Sequence, residues 1–363
     1  MTLAVNIAQG GSNNVTFRNK IINGACVIDQ RNAGASVTLG TADTYTLDRW
    51  QFGTSVASKY SCQQNAGSIT PPAGFGNYLG ITSLSAYTVG SAETFNLIQR
   101  IEGFNTSDLA WGTANAKTVT LSAWVYSSLT GTFGGAITNS AFTYSYPFSY
   151  TISSANTWTQ ISITIAGPTA GTWVGATNGA GLVLRFSMGT GSTLSGTAGA
   201  WTASGLISAT GATSVVGTNG ATFYITGVQL EAGTTASPFE YRQFGTELVL
   251  CQRYYNMVAN YSQTGGVAPI TNIVFPSATD IRAIYNFPVQ MRVAPSVVSS
   301  SGSLYFRIYN GNNIYANSIG LDFASVSGIG IVSGGGTSGA TQGQGGIIFA
   351  NTAGAYFALS AEL

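Results

Sequence analysis

The sequence predicts an all-β protein built from β-sandwiches, and three observations support this fold class. Apolar and polar residues alternate along many short segments, as they do on strands with one face toward a core. Turn-forming residues separate these segments about every 8–12 residues, a spacing typical of a sandwich or jelly roll. Helical periodicity is almost absent. The 363 residues suffice for two domains, or three at most.

The alternation is clearest between residues 118 and 125. Val119, Leu121, Ala123 and Val125 share one face there, while threonine, serine and tryptophan occupy the other. The same pattern recurs in residues 161–165, 182–188, 304–308 and 357–363. Thr, Val, Ile, Tyr and Phe, which are frequent in these segments, favour strands. We therefore expect each segment to be a half-buried strand.

One segment, Thr246–Tyr255, has helical features. Its apolar residues Leu248, Cys251 and Tyr255 fit one or two turns of helix. A strand entered by a tight turn fits the same residues. The sequence leaves these two alternatives open.

A domain boundary is expected near residues 243–256. All six tryptophans precede it, and beyond it prolines separate shorter strands. The glycine-rich stretch Ser333–Gly346 is predicted to be a long hairpin tip. The predicted organisation is an N-terminal arm (1–16), a β-sandwich (17–243), a linker (244–256) and a smaller C-terminal β-sandwich (257–363).

The composition excludes several classes of function. The chain has no histidine, only 7% charged residues and a net charge of +1. Histidine-based catalytic triads and histidine-ligated metal sites are thus excluded. Nucleic-acid binding is not expected because no basic cluster occurs. Membrane insertion is not expected because no run of about 18 apolar residues occurs. The N-terminus lacks signal-peptide features, which predicts synthesis in the cytoplasm.

No catalytic group is predicted. The twelve acidic residues are scattered, and five of them have a nearby arginine that could neutralise them. The three cysteines form no CxxC pair and are expected to be buried. No cofactor is expected, although the sequence leaves a structural calcium ion open. The expected local ion pairs are Asp29–Arg31, Asp48–Arg49, Arg100–Glu102, Glu240–Arg242 and Glu247–Arg253.

Aromatic residues give the candidate binding site. Trp111, Trp173 and Trp201 lie in or beside loops rich in glycine and alanine, where they could be exposed. Tyr144 and Tyr146 are spaced to share a face. Such rings stack on sugars while their polar tips form hydrogen bonds, so all five are predicted to bind carbohydrate. The alternative for the tyrosines is an oligomer interface or a small second core.

A resemblance to a known family is carried by Phe17–Gly24, Val27–Asn32 and Tyr45–Trp50, and most specifically by Phe223–Gly233 and Ser237–Arg242. These motifs resemble those of bacteriophage and prophage tail-fibre-like proteins. The last two are similar to the final strand of a carbohydrate-binding-module jelly roll. Further similar stretches are residues 101–103, 108–113, 117–125, 245–255, 287–295 and 360–363.

The resemblance implies a virion structural protein, made in the cytoplasm of the host bacterium. It implies an N-terminal jelly-roll β-sandwich followed by a smaller C-terminal β-sandwich. A homotrimer is expected, attached to other virion proteins through its N-terminal side. The expected function is that of a tail fibre or host-attachment protein that binds a bacterial surface polysaccharide without catalysis. The alternative is a capsid head fibre or decoration protein with a purely structural role.

Overall fold

A computed structural model describes residues 17–333 and 340–363. They form two compact units. The N-terminal unit comprises the described residues up to Val27, then Ser36–Tyr45 and Trp50–Arg242. The C-terminal unit comprises Ile28–Ala35, Thr46–Arg49 and Gln243–Leu363. The described chain is nearly all β, which confirms the predicted fold class. The predicted arm (1–16) and part of the predicted hairpin tip (334–339) lie outside the described residues.

The strands that precede residue 243 form two six-stranded antiparallel sheets and one short pair. The first sheet has the order β1-β4-β5-β14-β7-β10, and the second has the order β2-β3-β6-β11-β8-β9. The short pair is β12-β13. Their bounds are β1 (Val37–Thr38), β2 (Thr44–Leu47), β3 (Trp50–Thr54), β4 (Tyr60–Gln64), β5 (Leu79–Ser83), β6 (Thr94–Glu102), β7 (Val119–Ser127), β8 (Gly131–Thr138), β9 (Ser145–Ile152), β10 (Thr159–Ile165), β11 (Ala180–Thr190), β12 (Ser195–Gly196), β13 (Ser208–Ala209) and β14 (Thr222–Ala232).

The two six-stranded sheets face each other across an apolar core. Leu121 and Val125 of β7 and Leu184 of β11 are fully buried. Phe133 of β8 and Phe223 of β14 meet across the two sheets with ring centroids 5.9 Å apart. The alternation predicted for residues 118–125 is therefore confirmed, because every second side chain of β7 lies in this core. The N-terminal unit is a jelly-roll sandwich.

The C-terminal unit pairs a three-stranded sheet with a seven-stranded sheet. The orders are β15-β24-β18 and β20-β19-β23-β16-β17-β22-β21. Phe275, Phe306, Ile329 and Phe357 are fully buried in its core. The bounds are β15 (Tyr255–Asn260), β16 (Ala268–Ser277), β17 (Asp280–Asn286), β18 (Ser296–Ser299), β19 (Phe306–Tyr309), β20 (Asn313–Ala316), β21 (Ile319–Ala324), β22 (Gly328–Ser333), β23 (Gly345–Ala350) and β24 (Tyr356–Ser360), with helices α1 (Phe244–Gln252) and α2 (Tyr261–Thr264).

The segment Thr246–Tyr255, for which the sequence left both a helix and a strand open, contains both. Residues 244–252 form α1, and the chain then enters β15 at Tyr255. The C-terminal unit also includes residues 28–35 and 46–49, which no sequence pattern indicated. No helix in the described ranges is long and apolar enough to cross a bilayer.

Candidate functional site

The five aromatic residues predicted to bind carbohydrate come together at one end of the N-terminal unit. Trp111 lies between β6 and β7, Trp173 between β10 and β11, and Trp201 between β12 and β13. Tyr144 precedes β9 and Tyr146 lies within it. Neighbouring antiparallel strands are joined at alternate ends of a sandwich, so loops that are distant in sequence meet there. We call these five residues the end cluster.

Trp201 is the centre of the end cluster. Its ring centroid lies 5.5 Å from Trp111, 5.5 Å from Trp173 and 5.2 Å from Tyr146. Tyr144 stacks on it at 5.7 Å with only 11° between the ring planes. Trp111 and Trp173 also meet edge to face at 4.9 Å. These distances are those of favourable aromatic pairs.

Backbone hydrogen bonds fix all three indoles. Trp111 Nε1 donates to Lys117 O at 2.8 Å. Trp173 Nε1 donates to Ala170 O at 3.1 Å, and Trp201 Nε1 donates to Ala166 O at 2.7 Å. Their N–H groups are therefore already used, and only the exposed parts of the ring surfaces remain for a ligand. Because these rings are held before binding, little side-chain entropy would be lost on contact with one.

Burial divides the end cluster into two parts. Trp111 and Tyr146 are only 8% and 9% exposed, whereas Tyr144, Trp173 and Trp201 are half-buried. Burial also raises the pKa of the Tyr146 hydroxyl. Trp111 and Tyr146 thus support the three rings that reach solvent.

Two glycines let the loops approach the end cluster. Gly112 has φ +82°, and a Cβ there would lie 2.8 Å from Trp173 Cδ1. Gly171 has φ +87°, and a Cβ there would lie 3.0 Å from the Tyr144 ring. Other residues would be strained at both positions and would displace these rings.

A cavity of about 210 Å³ adjoins the end cluster. Trp111 and Trp173 form part of its wall. Thr106, Ser107 and Thr113 also line it and bring hydroxyl groups, which sequence reasoning missed. These three residues lie in polar loop sequence that shows no distinguishing pattern. The described residues that line the cavity include no charged side chain.

The carboxylate next to Ser107 is neutralised within the chain. Asp108 accepts two hydrogen bonds from Lys20 Nζ, each at 2.8 Å. Of the predicted local ion pairs, Glu240–Arg242 forms at 3.2 Å. Arg31 and Arg49 both pair with Glu362, and Arg100 pairs with Asp43; the prediction missed these partners. Across the described residues, no cluster of three or more cysteine and carboxylate side chains could hold a metal ion.

No protein-family model and no curated protein matches the chain. Solved structures with a similar fold include the enzymatically active domain of tailspike protein 4 from bacteriophage CBA120. It is 10% identical with a TM-score of 0.32, and the match covers 60% of this chain but only 22% of the tailspike chain. A Bacteroides thetaiotaomicron protein described as sugar-binding is 13% identical with a TM-score of 0.34, over 59% of this chain and 100% of its own.

A third similar structure is the family 11 carbohydrate-binding module of Clostridium thermocellum, solved with a β-1,3-1,4-mixed-linked tetrasaccharide. It is 11% identical with a TM-score of 0.27, over 55% of this chain and 98% of its own. None of the three structures is close to this chain in sequence or in overall superposition.

Proposed function

We propose that this protein binds a neutral polysaccharide of a bacterial surface without catalysis, as a host-attachment protein of a phage virion. One observation carries the sugar-binding part. Five aromatic side chains converge beside a cavity whose described wall combines aromatic surface with hydroxyl groups and has no charged side chain. Carbohydrate sites use this combination, because sugar rings present both apolar C–H faces and hydroxyl groups.

Each part of the site has a distinct role in the proposal. A sugar ring would stack on the accessible surfaces of Trp173, Trp201 or Tyr144. The Thr106, Ser107 and Thr113 side chains would exchange hydrogen bonds with its hydroxyl groups. An anionic sugar would gain no ion pair from the cavity wall, which favours a neutral polymer.

The virion assignment is supported by the sequence motifs in residues 17–50 and 223–242, which resemble tail-fibre-like proteins. In this proposal the protein is a homotrimer, joined to other virion proteins through its N-terminal side. Three copies of a weak sugar site would bind a repetitive polymer far more tightly than one copy does, because later contacts become intramolecular.

Binding without reaction is also part of the proposal. The chain has no histidine to act as a base, and the carboxylate beside the cavity, Asp108, is paired with Lys20. We expect incubation with host polysaccharide to release no new reducing ends. Release that Asp108→Asn abolishes would contradict this part of the proposal and leave binding intact.

The binding test compares Trp173→Ala with Trp158→Ala on a panel of neutral bacterial polysaccharides, by affinity electrophoresis. Trp158 is a matched control, since it is also half-buried and its Nε1 also donates to a backbone oxygen, Thr70 O, at 2.9 Å. We expect the Trp173 variant to bind at least about tenfold more weakly and the Trp158 variant to bind as wild type does. Equal binding by both variants would refute the site.

The alternative, a head fibre or decoration protein, is favoured by one feature. The edge-to-face contacts and satisfied indole N–H groups of the end cluster would also suit a small second core. Antibody labelling of intact virions in the electron microscope distinguishes the two functions. Label at the tail supports host attachment, whereas label over the head assigns the structural role.

A further inference from the structure

The outer face of the seven-stranded sheet in the C-terminal unit is unusually apolar. Its inner face packs into the core, yet five large side chains on the other face reach solvent. The exposed fractions are 64% for Ile284, 54% for Phe323, 49% for Tyr309, 45% for Val274 and 39% for Ile347. An antiparallel sheet with one solvated face normally carries polar residues there. We call this surface the apolar face.

The apolar face extends across the sheet from β19 to β21. Tyr309 of β19 lies opposite Ile347 of β23. Further along, Ile284 of β17 lies opposite Gly330 of β22, which in turn lies opposite Phe323 of β21. The Phe323 ring covers Gly330, where a Cβ would come within 2.4 Å of it. The exposed apolar side chains therefore form two groups, one on β19 and β23 and one on β17 and β21, with Val274 and the exposed Asn272 of β16 between them.

Charges on the apolar face balance each other. Arg282 pairs with Asp280 at 3.3 Å and with Asp322 at 3.7 Å. The Arg307 guanidinium lies 5.1 Å from the centroid of the Phe349 ring. Two arginines thus accompany two aspartates. An identical face could approach without net repulsion, whereas a strongly charged partner would find no complementary field.

The whole seven-stranded sheet, polar positions included, is large enough to supply much of one side of a protein interface. Seven strands about 4.8 Å apart, each contributing about five residues at 3.3 Å, span roughly 500 Å² in plan. A standard interface buries about 800 Å² of accessible surface on each partner. Exposed apolar patches of several hundred Å² on soluble proteins commonly mark such contacts.

We propose that the apolar face is the surface through which copies of this chain associate. The occupant is the corresponding face of the other copies of this chain, because the face is neutral and carries balanced charges. In the homotrimer proposed above, the three sheets would turn these faces toward a common axis. The inference rests on that homotrimer for its stoichiometry, and it assigns the contact to the outer sheet face.

The test measures mass by sedimentation velocity over a concentration series of the full chain. The variants are Ile284→Arg on β17 and Phe323→Arg on the edge strand β21, which each place a charge within the proposed contact. The matched control is Phe104→Arg in the N-terminal unit, because Phe104 is 55% exposed against 54% for Phe323. Circular dichroism verifies that each variant is folded.

We expect wild type and Phe104→Arg to be oligomeric, and both face variants to need at least about 100-fold higher concentration to associate. An oligomer that resists both face variants would refute the apolar face and leave the homotrimer standing. A monomeric wild type at micromolar concentration would refute both.

Discussion

The Glu240 carboxylate accepts hydrogen bonds from the backbone N–H groups of Arg18 and Asn19, each at 3.0 Å. The Arg242 side chain donates to Ile21 O at 3.1 Å and ion-pairs with Glu240. The stretch Ser237–Arg242 therefore holds residues 18–21 against the rest of the N-terminal unit. Its role in this chain is structural and lies outside the end cluster.

Glu240→Ala tests how much these contacts of Glu240 contribute to stability. The substitution leaves two backbone donors and the Arg242 guanidinium without their carboxylate partner. We expect the free energy of unfolding to fall by about 2–4 kcal/mol, since unpaired buried polar groups are costly. Urea denaturation followed by tryptophan fluorescence measures the change.

Two further variants calibrate the Glu240 result. Glu240→Gln keeps one acceptor oxygen and should lose less stability than Glu240→Ala. Asp43→Asn removes a carboxylate that is 55% exposed and lies 3.7 Å from Arg100, so it should change stability little. If Glu240→Ala and Asp43→Asn lowered the free energy of unfolding equally, the contacts of Glu240 would add no particular stability.

The two parts of the end cluster should respond differently to truncation. Trp111 is 8% exposed, so Trp111→Ala opens a cavity and should cost about 3–5 kcal/mol of stability. Trp173→Ala should cost less than about 2 kcal/mol, because its ring is already half-buried. Thermal unfolding of both variants checks this order. A reversed order would place Trp173 in the supporting part.

The local part of the fold could be predicted from the sequence. The alternation from Val119 to Val125 depends only on neighbouring residues, and β7 carries it into the core. The five aromatic residues could also be selected from the sequence as candidates, because the tryptophans lie in loops, and their binding of carbohydrate stays a prediction. Their mutual contacts could not, since Trp111 and Trp201 are distant in sequence and the strand order alone brings them within 5.5 Å.

The C-terminal unit contains an ion-pair partner that local reasoning did not reveal. Arg31 and Arg49 were expected to pair with the neighbouring acids Asp29 and Asp48. The structure pairs both with Glu362, more than 300 positions away. A buried cation needs a partner. The fold determines which acidic residue lies beside it, and distance along the sequence does not reveal that residue.

Glu362→Ala should therefore destabilise the C-terminal unit strongly. The Glu362 side chain is 7% exposed and the Arg49 side chain 2%, so the variant removes a buried carboxylate from a buried cation. We expect a loss of about 3–5 kcal/mol. Glu362→Gln, which retains hydrogen-bond acceptance, should lose less. Hydrogen exchange of β24 amides measures the effect within this unit.

Fragments of the chain give a second test of the same contacts. A fragment of residues 243–363 lacks Ile28–Ala35 and Thr46–Arg49, which belong to the C-terminal unit. It also lacks both arginine partners of Glu362. We expect this fragment to be less stable than the same unit in the full chain. A fragment that unfolds at the same urea concentration as the full-length unit would contradict the assignment of those segments.

Asp48 should make the stability of the C-terminal unit depend on pH. Burial raises the pKa of its carboxyl to about 7, against about 3.9 in an unfolded chain. A group with a raised folded pKa binds more protons when folded, so its stabilising effect is complete below about pH 4 and is lost as the pH rises through 7. Stability should therefore decrease between pH 5 and 8.

Asp48→Asn isolates that effect. The amide keeps an oxygen that can accept a hydrogen bond from Gln30 N, which lies 2.7 Å from the carboxylate in the wild type, but it cannot ionise. The difference in unfolding free energy between wild type and Asp48→Asn, measured from pH 5 to 8, should fall as the pH rises. A difference that stays constant would show that Asp48 ionises alike in both states.

The reactivity of the three cysteines can report the unfolding of each unit separately. Cys26 and Cys62 are buried in the N-terminal unit, and Cys251 is buried on α1 of the C-terminal unit. Burial raises the pKa of Cys26 to about 12 and that of Cys251 well above its usual value. Since thiolates are the reactive species, iodoacetamide should modify none of the three cysteines at pH 8 until the unit that contains it unfolds.

Mass spectrometry across a urea series measures the order in which the cysteines are modified. Glu362→Ala should expose Cys251 at lower urea while Cys26 stays protected, and simultaneous modification of all three in that variant would show that the units unfold as one.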